Sequence, residues 1–467
     1  MKPTMFRVFV LAAMAAAAGC ATRDVTWEPP AVQQGINIPL EYYHLGNGLK
    51  VVLAKDTSAP TVTVGVYYRI GFRVEPRDRT GFAHLFEHLM FQGSTNLGKM
   101  EFVRLVESNG GAFNGSTRFD YTNYYEIVPA HTLETILWAE ADRMRGLAIT
   151  QDNLVNQQGV VKNEVNDNVM NQPYGGFPWL SMPQLANENW YNAHNFYGDL
   201  AHIDAATLED ARAFFDTYYV PGNAVLVVAG AFDAAQTRAW INKYFAALPA
   251  RPQAAQPDIS EPPQTAEKRK SYVDPLAPRP GLAVAWHVPE RGTLAHYAFG
   301  LLDQILLQGE DSALWQKLVQ ERGYSGEVGG GINLLGNMFN YDGPMLWTVY
   351  LIHDPAVAPD TILKDVSAEI ARLKKAPPTQ AELDRALTKI RADLYDLAGS
   401  SSRFGLVDLV AAFALFDDDP TLINRIESEF RKIEPGMISD VARRYLNDNQ
   451  RSVLIVEPGR QPAGAPP

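Results

Sequence analysis

Cysteine is nearly absent: Cys20 is the single one in a chain of 467 residues. No intrachain disulfide can form. The same count excludes a cysteine-based zinc site, an iron–sulfur site and a redox-active dithiol. Any metal must therefore be held by histidine and carboxylates. Positive charge is also in deficit, with 41 Lys and Arg against 53 Asp and Glu, a net charge of −12. Phosphate backbones require a basic surface, so nucleic acid is not an expected partner. Long apolar runs are missing as well. The apolar stretch near the N-terminus, residues 8–18, falls well short of the ~20 residues a spanning helix needs, and no later segment reaches that length.

What remains is an ordinary globular composition, 46% hydrophobic and 20% charged. A chain of this length is expected to form two domains of about 200 residues each. Its start reads as an export signal: Lys2 and Arg7, an Ala-rich apolar run, then Ala17-Ala18-Gly19-Cys20. These four residues resemble the bacterial lipobox, in which cleavage precedes the cysteine and lipid is attached to it. Ala17 stands where Leu is commonest. The expectation is a signal peptide over 1–20 with Cys20 as the lipid-attachment residue. The protein would then be anchored by lipid on the periplasmic face of a bacterial membrane. Ala21, in place of Asp, favours the outer membrane. An ordinary secretory signal with an incidental cysteine is the alternative.

Residues 21–36 read as a tether and 458–467 as a tail. Residues 251–270 are rich in Pro, Gln, Ala and charge without apolar periodicity, and read as a linker. It separates a first domain, 37–250, from a second, 271–457. The two pieces look alike in order. Thr61-Val62-Thr63-Val64-Gly65-Val66-Tyr67-Tyr68 predicts a strand, followed by a turn and a helix near 80–91. Gly281-Leu282-Ala283-Val284-Ala285-Trp286-His287 predicts another, followed by a turn and a helix near 294–307. Both halves end on a strand-like run. The expected class is α+β: two similar domains, each a mostly antiparallel or mixed sheet with helices packed on it.

The chemistry concentrates in His84-Leu85-Phe86-Glu87-His88. On a helix, His84 and His88 stand one turn apart on one face. That spacing lets two imidazoles share one small ion, and Glu87 lies close enough to reach a water on it. The order His-x-x-Glu-His is the inverse of the zincin arrangement. Zinc suits neutral imidazoles plus a carboxylate and keeps a position for water. Residue spacing leaves the third ligand open among Glu140, Asp142, Glu164 and Asp167.

The stretch Gly81-Phe82-Ala83-His84-Leu85-Phe86-Glu87-His88-Leu89-Met90-Phe91-Gln92-Gly93 is similar to the signature of the pitrilysin-like (inverzincin) zinc metallopeptidases. It most resembles the short members related to the mitochondrial processing peptidase, over roughly residues 38–457. The resemblance implies a third ligand about 76 residues after the second His, which is Glu164 in Gly159-Val160-Val161-Lys162-Asn163-Glu164. It implies one zinc ion per chain on His84, His88 and Glu164, with Glu87 as general base. It also implies an endopeptidase acting on peptides or unfolded segments inside a chamber. A catalytically idle assembly or binding subunit is the alternative. Gln157 stands where the family usually has a second acidic residue.

Gly110 to Thr117 and Tyr121 to Glu126 alternate like a strand pair. They resemble the family's edge strand, onto which a peptide adds as an extra strand; Asn114 and Gly115 would then contact substrate. The second half lacks the motif: Phe299 and Gly300 stand where Glu and His would follow His296. The family's substrate-binding Arg and Tyr are matched by Tyr324 alone, with Val319 in the Arg place and Lys317 or Arg322 nearby. The resemblance implies a second homologous subunit lacking the zinc motif, as a heterodimer, with a homodimer as the alternative.

Overall fold

A computed structural model describes residues 35–459. The expected signal peptide with Cys20, nearly all of the tether and all but the start of the tail lie outside the described residues.

Two sheets dominate. The first contains β1 (Glu41–His44), β2 (Lys50–Lys55), β3 (Thr61–Tyr68), β4 (Ala112–Thr117), β5 (Thr122–Pro129) and β6 (Ala224–Gly230), in the order β1-β2-β6-β3-β5-β4. The second contains β7 (Lys268–Asp274), β8 (Gly281–His287), β9 (Gly329–Ile332), β10 (Leu346–Ile352) and β11 (Ser452–Pro458), in the order β7-β11-β8-β10-β9. In each, the last strand inserts parallel to an early one: β6 beside β2 and β11 beside β7. All other pairings are antiparallel. Without β1, the first sheet repeats the pairing pattern of the second. The class is α+β, as the order of elements suggested.

The β-branched residues of β3 favour a pleated strand, and its face alternation decides what covers it. Val62, Val64 and Val66 join a core with Leu85 and Phe86 of α1 (Phe82–Leu89) and Leu137 of α2 (Leu133–Arg145). A further helix, α3 (Gln151–Val165), lies against α1. In the second half α4 (Leu294–Leu306) packs Phe299 edge-on to Trp347 of β10, with ring centres 5.9 Å apart. Next come α5 (Gln380–Gly399) and α6 (Phe404–Phe416).

Helix α6 crosses between the halves. It is apolar almost all round, which is the pattern of a fully buried helix. It lies against β2, β3 and β6 of the first sheet, on the face opposite α1. Gly65 of β3 makes the approach possible: a Cβ there would stand 2.7 Å from Val407 Cγ1. Within the same contact the Tyr121 hydroxyl donates to buried Asp408 at 2.9 Å, and Asn340 Nδ2 donates to it at 3.0 Å. The N-terminal lead also crosses. Ile36, Ile38 and Leu40 pack against this second core, and Ile38 N donates to Asn424 Oδ1 at 2.7 Å. Residues 251–265 form no helix or strand, and β7 begins at Lys268, inside the stretch read as linker.

Candidate metal centre

The helix bearing the motif is shorter than its pattern suggested, eight residues from Phe82. Gly81 precedes it at φ 86°, which an L side chain adopts only with strain. The first N–H groups of a helix lack intrahelical partners. Here buried Glu75 supplies them: Gly81 N donates to Oε2 at 2.8 Å and Ala83 N to Oε1 at 2.6 Å. Burial pushes the Glu75 carboxyl up to about 8, against those two bonds, which pull it down.

From this fixed start, His84 and His88 project one turn apart. Their Nε2 atoms lie 3.3 Å from each other. Helix α3, capped by the Thr150 hydroxyl, brings Glu164 across. Its Oε1 is 3.4 Å from His84 Nε2 and its Oε2 is 3.1 Å from His88 Nε2. Hydrogen bonding first to His84 and then to His88 holds the Glu164 carboxyl well below the usual carboxylate range. One ligand atom from each residue lies within 4.8 Å of the others, and no other metal-sized group of His, Cys, Asp or Glu occurs among the described residues. Two imidazole nitrogens and one carboxylate, converging and partly accessible, fit a zinc ion with a position left for water. His84 Nδ1 is buried and has no hydrogen-bond partner among the protein groups around it.

Glu87 stands on the same helix face. Its Oε2 accepts a hydrogen bond from the Thr117 hydroxyl at 2.7 Å, which ties the helix to β4. Tyr197 closes the other side, with its ring centre 5.3 Å from that of His84. Burial first, then the charges of Glu164 and Glu87, raise its hydroxyl above the ordinary tyrosine value, so it stays neutral.

The other open ligand candidates lie elsewhere. Glu140 is sealed in the core with Arg143 and Glu126. Asp142 accepts from Ser94 Oγ at 2.6 Å and from Asn96 N at 2.8 Å. Asp167 is exposed. Gln157 is buried on α3 and donates to Asn156 Oδ1 at 2.8 Å.

Strand β4 pairs with β5 alone and is a sheet edge. Asn114 is exposed on it, and its Oδ1 accepts from Gly115 N at 2.9 Å. Gly115 sits over Glu87: a Cβ there would stand 3.2 Å from Glu87 Cγ. In the second half, Tyr324 donates its hydroxyl to Asp365 Oδ2 at 2.9 Å, and Arg322 forms a two-pronged pair with the same carboxylate. Lys317 pairs with Glu321. His296 is fully buried against Tyr341, and desolvation pushes it down to about 3, so it is a neutral core imidazole.

Sequence reading missed Glu75, Thr117 and Tyr197. The alternation of β4 puts Thr117 on the face of Gly115 and so contained its signal. Nothing local marks Glu75 or Tyr197, because their partners are fixed by folding.

Comparison with known proteins gives the class. A family model described as Insulinase (Peptidase family M16) matches residues 50–188, and one described as Peptidase M16 inactive domain matches residues 205–390. Together they account for more than half the chain, which belongs to the M16 peptidase family. The first match contains His84, Glu87, His88 and Glu164; the second contains none of them. Among relatives, the zinc protease PqqE of Helicobacter pylori is 26% identical over 421 residues, 89% of this chain and 92% of that protein. The crystal structure of a protease from Helicobacter pylori superposes with a TM-score of 0.82 at 25% identity, covering 91% of this chain and 100% of that one. A probable mitochondrial-processing peptidase subunit beta of Arabidopsis thaliana is 26% identical over 246 residues, 52% of this chain and 45% of that protein.

Proposed function

We propose that the chain is a zinc-dependent endopeptidase, with His84, His88 and Glu164 as ligands and Glu87 as general base. The observation that carries the reading is the convergence of the His84 and His88 Nε2 atoms with the Glu164 carboxylate, with Glu87 one residue away on the same helix. The naming of relatives as zinc proteases supports it.

Zinc, when bound, lowers the pKa of a coordinated water to near 7 and polarises the scissile carbonyl. This chain's residues do the rest. An extended peptide adds to the free edge of β4, held by main-chain bonds and by Asn114 and Gly115 with little regard to side-chain sequence. Glu87 accepts a proton at its Oε1, the oxygen not engaged by Thr117, and passes it to the departing amine nitrogen. Tyr197 and the buried side of His84 keep bulk water off one flank of the site.

Full activity requires a second homologous subunit without the zinc motif, a homodimer being the alternative. Val319 in the place of the expected Arg, and the engagement of Arg322 and Tyr324 by Asp365, support this. The protein works at the periplasmic face of a bacterial membrane, anchored through lipid on Cys20.

Cleavage of a long quenched peptide, with and without chelator, by parent and Glu87→Gln protein tests the catalytic reading. The variant should retain zinc and lose cleavage. Chelator-insensitive cleavage, or a variant at the parent rate, overturns it. An idle assembly subunit would show zinc-independent binding and no turnover even with a partner added.

A further inference from the structure

We propose that Thr117 is the positioning residue of the general base, and that β4 thereby couples peptide docking to proton transfer. The inference rests on the peptidase reading above and goes one residue beyond it.

A base in hydrolysis must present one carboxylate oxygen at a fixed place. Glu87 has three side-chain torsions between its backbone and that oxygen, and it is only half-buried on the short helix α1. Free, it would sample several rotamers. Two contacts limit it, and both come from one face of β4. The Thr117 hydroxyl donates to Oε2 at 2.7 Å. The bare Cα of Gly115 lies against the stem, where a Cβ would come within 3.2 Å of Cγ. With Oε2 occupied and the stem confined, Oε1 is the oxygen left to take a proton. Thr117 is itself fixed: it is buried, and it pairs with Thr122 in the β4–β5 ladder. A β-branched threonine in a strand also has restricted χ1, so its hydroxyl direction is set by the backbone.

The opposite edge of β4 is where an added peptide strand would pair. A strand whose outer edge holds the scissile segment and whose inner face holds the base sets both in one frame. Movement of β4 displaces the two together, which preserves their separation.

Thr117→Val keeps shape and volume and removes only the donor. Loss of one hydrogen bond to a charged group should lower kcat about tenfold or more. KM and zinc content should stay at parent values, since neither Asn114 nor any ligand is altered. Thr117→Ser restores the hydroxyl and should recover most of kcat. The measurements are steady-state cleavage of a long quenched peptide and metal content by emission spectroscopy, on full-length protein, beside Glu87→Gln. Thr117→Val at the parent kcat, while Glu87→Gln is inactive, overturns the positioning role. So does a loss that appears in KM or zinc content instead of kcat, or a Thr117→Ser protein as impaired as Thr117→Val. A Glu87→Gln protein with parent activity overturns the proposed function itself, and the positioning role with it.

Discussion

Glu75 offers a thermodynamic handle on the platform that holds the site. Its carboxyl is fully buried, receives two backbone N–H groups at the head of α1, and is pushed up to about 8 from an ordinary 4.5. At pH 5 the folded protein holds a proton there that the unfolded chain has mostly released. The folded state binds more protons, so this group favours folding at low pH. That contribution is complete below pH 4.5 and fades as pH rises through the folded value of about 8. Between pH 5 and pH 8 the loss amounts to about 3 kcal/mol. Glu75→Gln removes the titration. It also puts an amide N–H₂ where one backbone N–H needs an acceptor, which costs about 1–3 kcal/mol. The variant should therefore be less stable than the parent at pH 5, draw level as pH rises, and equal or exceed it near pH 8. Urea unfolding of both proteins in the presence of chelator, at half-unit steps, reads this directly. Other buried acids such as Asp303, raised to about 6 by burial, act equally in both proteins and cancel in the difference. Parallel stability curves across the range would refute the reasoning.

Three further outcomes are expected. Glu164→Gln should lose zinc under mild chelation while Glu140→Gln keeps it, measured as metal content after dialysis, because Glu164 alone of the two faces both histidines. Gly65→Ala should destabilise the protein by about 1–3 kcal/mol through overpacking against Val407, seen as a lower urea midpoint without change in zinc content. Cys20→Ala should move the protein from the membrane to the soluble fraction of a bacterial envelope preparation; unchanged membrane association counts against the lipid anchor.

Much of this was legible because it is local or periodic. The His84–His88 spacing needs only a helix to put two imidazoles on one face, and the strand runs of β3, β6 and β11 announce themselves by β-branched content. The repeat of strand-turn-helix after residues 61 and 281 pointed to two similar sheets. Glu164 was different. Residue spacing left it among four carboxylates, and only the family resemblance singled it out before α3 was seen to bring it across. Glu75 and Tyr197 left no trace, since a buried carboxylate capping a helix and a tyrosine against an imidazole depend on chain crossings. The run of Leu, Val, Ala and Phe in α6 promised burial but not its address on the first sheet.

That address has a consequence for how this protein can be taken apart. The two sheets repeat one topology, which invites cutting the chain within residues 251–265 to obtain a free-standing zinc half. The fragment ending there would leave the valines and alanines of β2 and β6, and the hydroxyl of Tyr67, facing solvent where α6 now lies. Its partner fragment would carry α6, an almost wholly apolar helix, with the side that meets β2, β3 and β6 left bare. Neither piece would be a self-sufficient module. Supplied together, each displays what the other lacks, so the halves should behave as complementing fragments. The repeat is thus one of pattern, while the folding unit is the interlocked whole.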